Sequence, residues 1–283
     1  MADNLKQALC ALDVRFGKRE SQAILHALLL DLLHVPKSFS VDSLVTDQQY
    51  RLEKAVSMIL DDVPVQYVTQ LAWFYGLPFY VDRHVLIPRP ETEELVEKGL
   101  SLIRDRGYRN IIDIGCGSGV IPVVIKKKSP LSQVTGIDIS ETALNVSRNN
   151  AARHHADVRW LLADILEEDY SWADRYDLII SNPPYIIKEE LDLMSASAVR
   201  HEPHLALFSE TPLQFYRAIL RFAGHQLMPG GTILLECNEY HAREIHALAL
   251  TMGFNQAHLY ADLQNKERIL EVMREHTGGK QDG

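Results

Sequence analysis

Apolar side chains in the N-terminal quarter of the chain return every third or fourth residue. Leu5, Leu9, Leu12 and Phe16 form one stripe, Ile24, Leu25, Leu28, Leu29, Leu32 and Leu33 a second, and Leu52, Ala55, Val56, Ile59 and Leu60 a third. This is the helical period, so residues 1–71 are expected to form a small helical bundle. Ser21 reads as the cap of the second helix. Pro36 and Pro64 stop the second and third runs, because a proline pushes the residue before it out of the helical region. Residues 72–90 change character. The stretch WFYGLPFYVDRHVLI is aromatic and β-branched with a Gly-Leu-Pro turn in its middle, which predicts a β-hairpin joining two domains. Two prolines then lead into an amphipathic helix that ends near Gly107.

From residue 110 the period alternates between two and 3.6. NIIDIG, QVTGIDI, VRWLLAD, YDLIISNPPY and GGTILLEC read as strands. Helical segments separate most of them, among them ETALNVSRNNAARHH and LQFYRAILRFAGHQL, and AREIHALALTMG follows the last. HLYADL and RILEVMRE read as closing strands. Such alternation predicts an α/β fold over residues 91–276, a mostly parallel sheet with helices on both faces. The polar residues 277–283 are expected to be a disordered tail.

Charge and cysteine content narrow the function classes. The formal net charge of -9 does not favour a nucleic-acid binder, which carries a basic face, although a local patch can hide inside an acidic total; no stable nucleic-acid partner is expected. The cysteines Cys10, Cys116 and Cys237 are far apart, so neither a disulfide framework nor a zinc knuckle is read, and no metal is expected. The start lacks a secretory pattern, and AILHALLLDLLHV is broken by His26 and Asp31; a cytoplasmic, membrane-free and monomeric protein is expected.

Candidate chemistry sits at the strand ends. Asp113-Ile114-Gly115-Cys116-Gly117-Ser118-Gly119 follows an apolar strand, and its glycines allow a tight turn and close approach to a ligand. A dinucleotide fingerprint would need a third glycine where Val120 stands. Asp113 would repel a pyrophosphate but pair with the ammonium of a methionine moiety. Asp138, ending the second strand, suits two ribose hydroxyls. Asp164 can face an adenine amino group, with Ile165 covering the ring. Taken singly, Asp138 and Asp164 also read as helix caps or solvated charges. Cys116 needs only to be small.

Asn182-Pro183-Pro184-Tyr185 closes the fourth strand. Asn-Pro also marks ordinary turns, but this tetrad lies where open α/β sheets bind ligands. An amide nitrogen is a poor nucleophile because its lone pair is delocalised. The Asn182 oxygen can accept one N–H and the Pro183 carbonyl the other, so that the lone pair points at a methyl donor. Tyr185 can pack on the flat amide, and alignment does the rest. His201-Glu202-Pro203-His204 lacks metal-ligand spacing and reads as a loop with solvated histidines. Arg89 and Glu91 read either as shaping the site's mouth or as a salt bridge at the domain junction.

Together these motifs resemble the bacterial protein-(glutamine) methyltransferases that modify peptide chain release factors. The most specific segment is Leu86-Ile87-Pro88-Arg89-Pro90-Glu91-Thr92-Glu93, which separates that family from DNA adenine methyltransferases with similar tetrads. Pro64-Val65-Gln66-Tyr67, Glu202-Pro203, Ala206-Leu207, Asp262-Leu263 and Glu267-Arg268 resemble it too. The resemblance implies a Rossmann-like class I methyltransferase sheet, with S-adenosyl-L-methionine as donor and S-adenosyl-L-homocysteine as product. Residues 115–119 would hold the methionine part, Asp138 the ribose, and Ile165 beside Asp164 the adenine. Asn182 would touch both donor and substrate, and Pro183, Pro184 and Tyr185 would complete the glutamine pocket. The substrate implied is the glutamine of a Gly-Gly-Gln loop in release factors, with the N-terminal helices as docking domain. The chain departs from the family where Gln70 replaces a usual glycine, and where Glu-Ile-Gly-x-x-Gln becomes Glu236-Cys237-Asn238-Glu239-Tyr240-His241; neither departure is expected to touch the donor motifs directly, and both bear on the domain hinge and the edge of the substrate groove. A ribosomal-protein glutamine methyltransferase shares the same chemistry. A DNA or RNA adenine methyltransferase would want a basic cleft, a non-catalytic scaffold would not need the Asn182 tetrad, and a nicotinamide oxidoreductase fails at Val120.

Overall fold

The computed structural model describes residues 2–36, 38–167, 174–187, 190–191 and 196–274; the expected tail at 277–283 lies outside them. Helix α1 (Ala2–Ala27) is broken at Gly17, whose φ of 77° and ψ of 158° are open only to glycine. That break separates the first two apolar stripes. Ser21 therefore caps nothing: it lies beyond the break, buried, and its hydroxyl donates to the Asp13 carboxylate and the Lys18 carbonyl. A π-helical turn (Leu28–Leu32) continues α1, and α2 (Thr46–Leu60) and α3 (Val65–Thr69) complete the bundle. Leu5, Leu12, Leu28, Leu29, Leu52 and Val56 form its core.

Gln70 ends α3 with φ 55°. Left-handed backbone at this point favours glycine, and a side chain here costs about 1 kcal/mol. The departure from the family's glycine thus falls on a position where glycine has a conformational reason.

Strands β1 (Leu71–Phe74) and β2 (Leu77–Tyr80) form the expected hairpin, but the turn is Tyr75-Gly76, with φ of 52° and 71°. Two positive φ values give the mirror-image tight turn whose twist matches a hairpin. The Gly-Leu-Pro reading placed the turn too late; Pro78 lies in β2, opposite Trp73. Phe74 and Phe79 point into the core of the larger sheet.

That sheet has seven strands in the order β5-β4-β3-β6-β7-β9-β8. These are β3 (Asn110–Ile114), β4 (Gln133–Asp138), β5 (Arg159–Leu162), β6 (Tyr176–Ser181), β7 (Leu227–Glu236), β8 (Gln256–Ala261) and β9 (Glu267–Met273). Strands β3 to β7 pair in parallel, and β9 runs antiparallel between β7 and β8. Alternate residues face opposite layers. Ile112, Ile114, Ile179 and Ile233 pack with helices α9 (Gln214–Gln226) and α10 (Ala242–Thr251). Ile111, Leu178, Ile180 and Leu234 pack with α4 (Pro90–Arg106) and α5 (Val120–Lys128). Helix α6 (Glu141–Arg153) lies beside α5. The chain steps outward from β3 through β4 to β5, then returns to the other side of β3 with β6. This reversal opens a crevice at the carboxyl ends of β3 and β6, where α/β sheets bind ligands.

Two short helices were not anticipated: α7 (Ala196–His201) and α8 (His204–Leu207). The histidines expected on a loop at 201–204 stand instead at helix ends, His201 half-buried at the end of α7 and His204 exposed, as expected, at the start of α8. Glu202 is 4% exposed, and only a strong ion pair makes such burial tolerable. Among the described residues no helix is long and apolar enough to cross a membrane.

Candidate functional site

The glycine-rich loop leaves β3 with positive φ at Gly115, Gly117 and Gly119. The backbone N–H groups of Gly115 and Cys116 both donate to the Ile137 carbonyl at 2.9 Å, which ties the loop to β4. A Cβ on Gly119 would come within 3.0 Å of Ser147 and the Trp160 ring, so glycine there lets α6 and β5 close on the loop. Asn150 of α6 donates from Nδ2 to the carbonyls of Ser118 and Tyr80, and its Oδ1 accepts from the Tyr80 N–H. One buried amide thus joins the loop to the hairpin.

Asp138 accepts from the Gly117 N–H at 2.8 Å and from the Ser140 N–H at 2.9 Å. Burial raises its pKa, and the N–H groups of Ser140, Gly117 and Ile139 oppose that rise. Asp113 is fully buried, and neither carboxylate oxygen has a hydrogen-bond partner. Burial, and then the charge of Asp138, push its pKa well above the usual carboxylate range. Burial likewise raises the Cys116 thiol, which removes thiolate character from this cysteine.

The crevice holds a cavity of about 380 Å³ with a mostly apolar wall. Of the residues expected from sequence, Gly115, Gly117, Asp138, Asp164, Ile165, Asn182, Pro183 and Pro184 line it. Asp113, Cys116, Ser118 and Gly119 are buried and do not line the cavity, and Tyr185 packs on the core cluster that contains Tyr216 and Cys237. Burial raises the Tyr185 phenol, with the Glu236 charge adding to it. Asp164 accepts from the Leu166 N–H at 2.8 Å. The sequence reading missed other parts of the wall, among them Val85 and Leu86 after the hairpin, Leu205 and Ala206 of α8, and Phe215 and Ile219 of α9. Leu86 stood in a motif already singled out, but apolar helix residues such as Ile219 carry no local mark of facing a ligand.

Asn182 is anchored from behind. Its Nδ2 donates to Thr92 Oγ1 at 3.0 Å, and Thr92 Oγ1 donates to Glu236 Oε2 at 2.7 Å. Burial raises the Glu236 carboxyl to about 7, against the Thr92 hydrogen bond and the nearby Arg268 charge. The departures in the 236–241 block were not expected to touch the donor motifs directly. Glu236, which keeps the family residue, reaches Asn182 through one intervening hydroxyl, because β7 ends beside the start of α4. Asn238 and His241, the altered positions, both meet Glu190: Asn238 Nδ2 donates at 3.1 and 3.2 Å, and His241 Nε2 lies 3.4 Å away.

Arg89 does not pair with Glu91. It donates to both oxygens of Glu202, at 2.7 and 2.8 Å, fixing the start of α4 to the segment that carries α8. The bundle is tied in as well. Tyr67 donates to the Val85 carbonyl at 2.6 Å, Ser197 to the Asp62 carbonyl at 2.7 Å, and Arg200 pairs with Asp62 at 3.0 Å.

Comparison with known proteins follows the same lines. The model of the methyltransferase small domain matches residues 100–215. A release factor glutamine methyltransferase of Flavobacterium psychrophilum is 36% identical over 231 residues, covering 80% of both chains. One of Bacteroides thetaiotaomicron is 36% identical over 229 residues, covering 80% of this chain and 82% of its own. A solved methyltransferase of Pyrococcus furiosus superposes with a TM-score of 0.51 at 17% identity, over 82% of this chain and 100% of that one, which shows the shared sheet architecture.

Proposed function

The chain belongs to the release factor glutamine methyltransferase family, and we propose that its Asn182 corner holds the side-chain amide of a substrate glutamine beside the donor pocket. It is a methyltransferase that uses S-adenosyl-L-methionine, which when bound supplies an electrophilic methyl group on a sulfonium. The substrate is the glutamine of the Gly-Gly-Gln motif of peptide chain release factors, so the activity bears on translation termination.

The residues at the crevice fit the donor. Gly115 and Gly117 leave backbone exposed where a methionine moiety would lie. Both Asp138 oxygens accept backbone N–H groups, and the carboxylate has further lone pairs for a ribose hydroxyl. Ile165 and Leu205 offer apolar cover for an adenine ring. Behind the loop, the unpartnered Asp113 carboxyl is a buried acidic group for which an arriving ammonium would provide the missing counter-charge.

One observation carries the reading of the corner. The Nδ2 of Asn182 is committed to Thr92, so the Oδ1 remains as the acceptor for the pocket. Asn182 Oδ1 and the Pro183 carbonyl would then hold the two N–H bonds of a primary amide. With both held, the nitrogen keeps its lone pair aimed across the crevice, and the amide needs no prior deprotonation. The proton that leaves the nitrogen as the new bond forms is already directed at these acceptors. Closing the substrate between apolar walls excludes water and strengthens both hydrogen bonds.

Incubation with isotope-labelled donor and a mixture of release factors, ribosomal proteins and DNA tests this. Tandem mass spectrometry is expected to find the label on the release-factor glutamine. Label confined to a ribosomal-protein glutamine or to adenine would replace the proposed substrate.

A further inference from the structure

We propose that Thr92 and Glu236 form a positioning relay that decides which end of the Asn182 carboxamide faces the substrate. The proposal rests on the amide-holding role of Asn182 given above. It begins from an inventory of protons. An ionised carboxylate only accepts, a hydroxyl has one proton to give, and a carboxamide offers donors at one end and an acceptor at the other. Glu236 Oε2 takes the Thr92 proton across 2.7 Å. The Thr92 oxygen then has only lone pairs left for Asn182, and only Nδ2 can satisfy them, across 3.0 Å. The Oδ1 is therefore turned to the pocket.

If Glu236 is protonated, the one-way order is lost. Its own O–H can donate to Thr92, the Thr92 proton becomes free for Oδ1, and the carboxamide can flip. A flipped Asn182 presents N–H groups to the N–H groups of the substrate, which cannot pair. Water does not rescue the arrangement, since Thr92 is 4% and Glu236 2% exposed. Both groups stand on regular elements, Thr92 in the first turn of α4 and Glu236 at the last position of β7.

The charges around Glu236 come from several elements. Arg268 on β9 and Arg89 before α4 favour ionisation, and Glu91 of α4 opposes it. The phenols of Tyr185 and Tyr216 and the Cys237 thiol also feel its charge, and burial raises all three, so they stay neutral near pH 7. With the carboxyl raised to about 7 from 4.5, activity is expected to rise with pH through that value. Stability moves the other way. A folded-state pKa above the unfolded one favours folding at low pH, and that contribution is lost as pH rises from 4.5 to about 7. A residue that mattered only for folding would make activity follow stability.

The test uses the full chain, a release factor as methyl acceptor, and steady-state rates from about pH 6 to 9. Thr92→Val is expected to lower kcat by about 10- to 100-fold, with KM and calorimetric donor affinity little changed, and Thr92→Ser is expected to restore most of the loss. Glu236→Gln, whose amide oxygen still accepts from Thr92, is expected to lose the rise near pH 7. Thermal melts at each pH report folding. Normal kcat in Thr92→Val, equal damage in Thr92→Ser, or an unchanged profile in Glu236→Gln would each overturn the relay. Asn182→Ala in the same series separates the layers: if it is fully active, the amide reading itself fails, whereas an inactive Asn182→Ala beside a normal Thr92→Val sinks the relay alone.

Discussion

Asn182→Ala should slow methyl transfer by about 100- to 1,000-fold and leave donor affinity within a few-fold. The magnitude follows from what is removed. A fixed acceptor, turned to the pocket by its own hydrogen bond to Thr92, contributes most when the substrate nitrogen must be held still for in-line attack. Without it a primary amide is free to rotate about its chain, and only the carbonyl of Pro183 restrains it. In the proposed arrangement donor binding depends mainly on the far side of the crevice, at Gly115, Gly117 and Asp138. Stopped-time assays with labelled donor measure the first quantity and calorimetry the second. The substitution also leaves Thr92 Oγ1 with one partner fewer in a buried place, at a cost of about 1–3 kcal/mol in folding, so a melting curve must accompany the rates. Undiminished turnover would remove Asn182 from the chemistry.

Asp138→Ala should weaken donor binding by about 1–3 kcal/mol, or about 5- to 150-fold. Two losses combine. The charged acceptor for the ribose disappears, and the N–H groups of Gly117 and Ser140 lose the carboxylate that orients them at 2.8 and 2.9 Å. The loop then loosens where it must stay close to the ligand. The maximal rate at saturating donor should fall less than the affinity, because the Asn182 corner follows β6, on the far side of β3 from β4, and is anchored separately. Calorimetric titration checks this, and unchanged affinity would mean that the ribose is held elsewhere.

Much of the fold was legible because its signals are local. The apolar runs at 110–114 and 176–181 gave β3 and β6, and the glycines at 115–119 gave the loop between β3 and α5. The acidic strand ends Asp138 and Asp164 reached the cavity wall as expected. What was missed depends on which of several candidate residues takes an unusual backbone conformation, or on partners distant in sequence. Ser21 looks like a cap until Gly17 proves to hold the break. Pro78 looks like a turn residue until Tyr75 and Gly76 take the positive φ values. The segment 201–204 looks like a plain loop until Arg89, more than a hundred positions earlier, pairs with the buried Glu202. The same is true of the chain from Glu236 through Thr92 to Asn182, in which each hydrogen bond spans about ninety positions or more. Nothing in the spacing of these residues announces a contact. The motif around Thr92, the Asn182 tetrad and the 236–241 block marked the region without revealing that they touch.

The corner at Asn182 is best judged in a crystal of the chain with S-adenosyl-L-homocysteine and a Gly-Gly-Gln peptide. The glutamine amide nitrogen is expected within hydrogen-bond distance of both Asn182 Oδ1 and the Pro183 carbonyl oxygen, facing the sulfur across the crevice. A glutamine seated elsewhere, with Asn182 contacting Thr92 but no peptide atom, would refute the account.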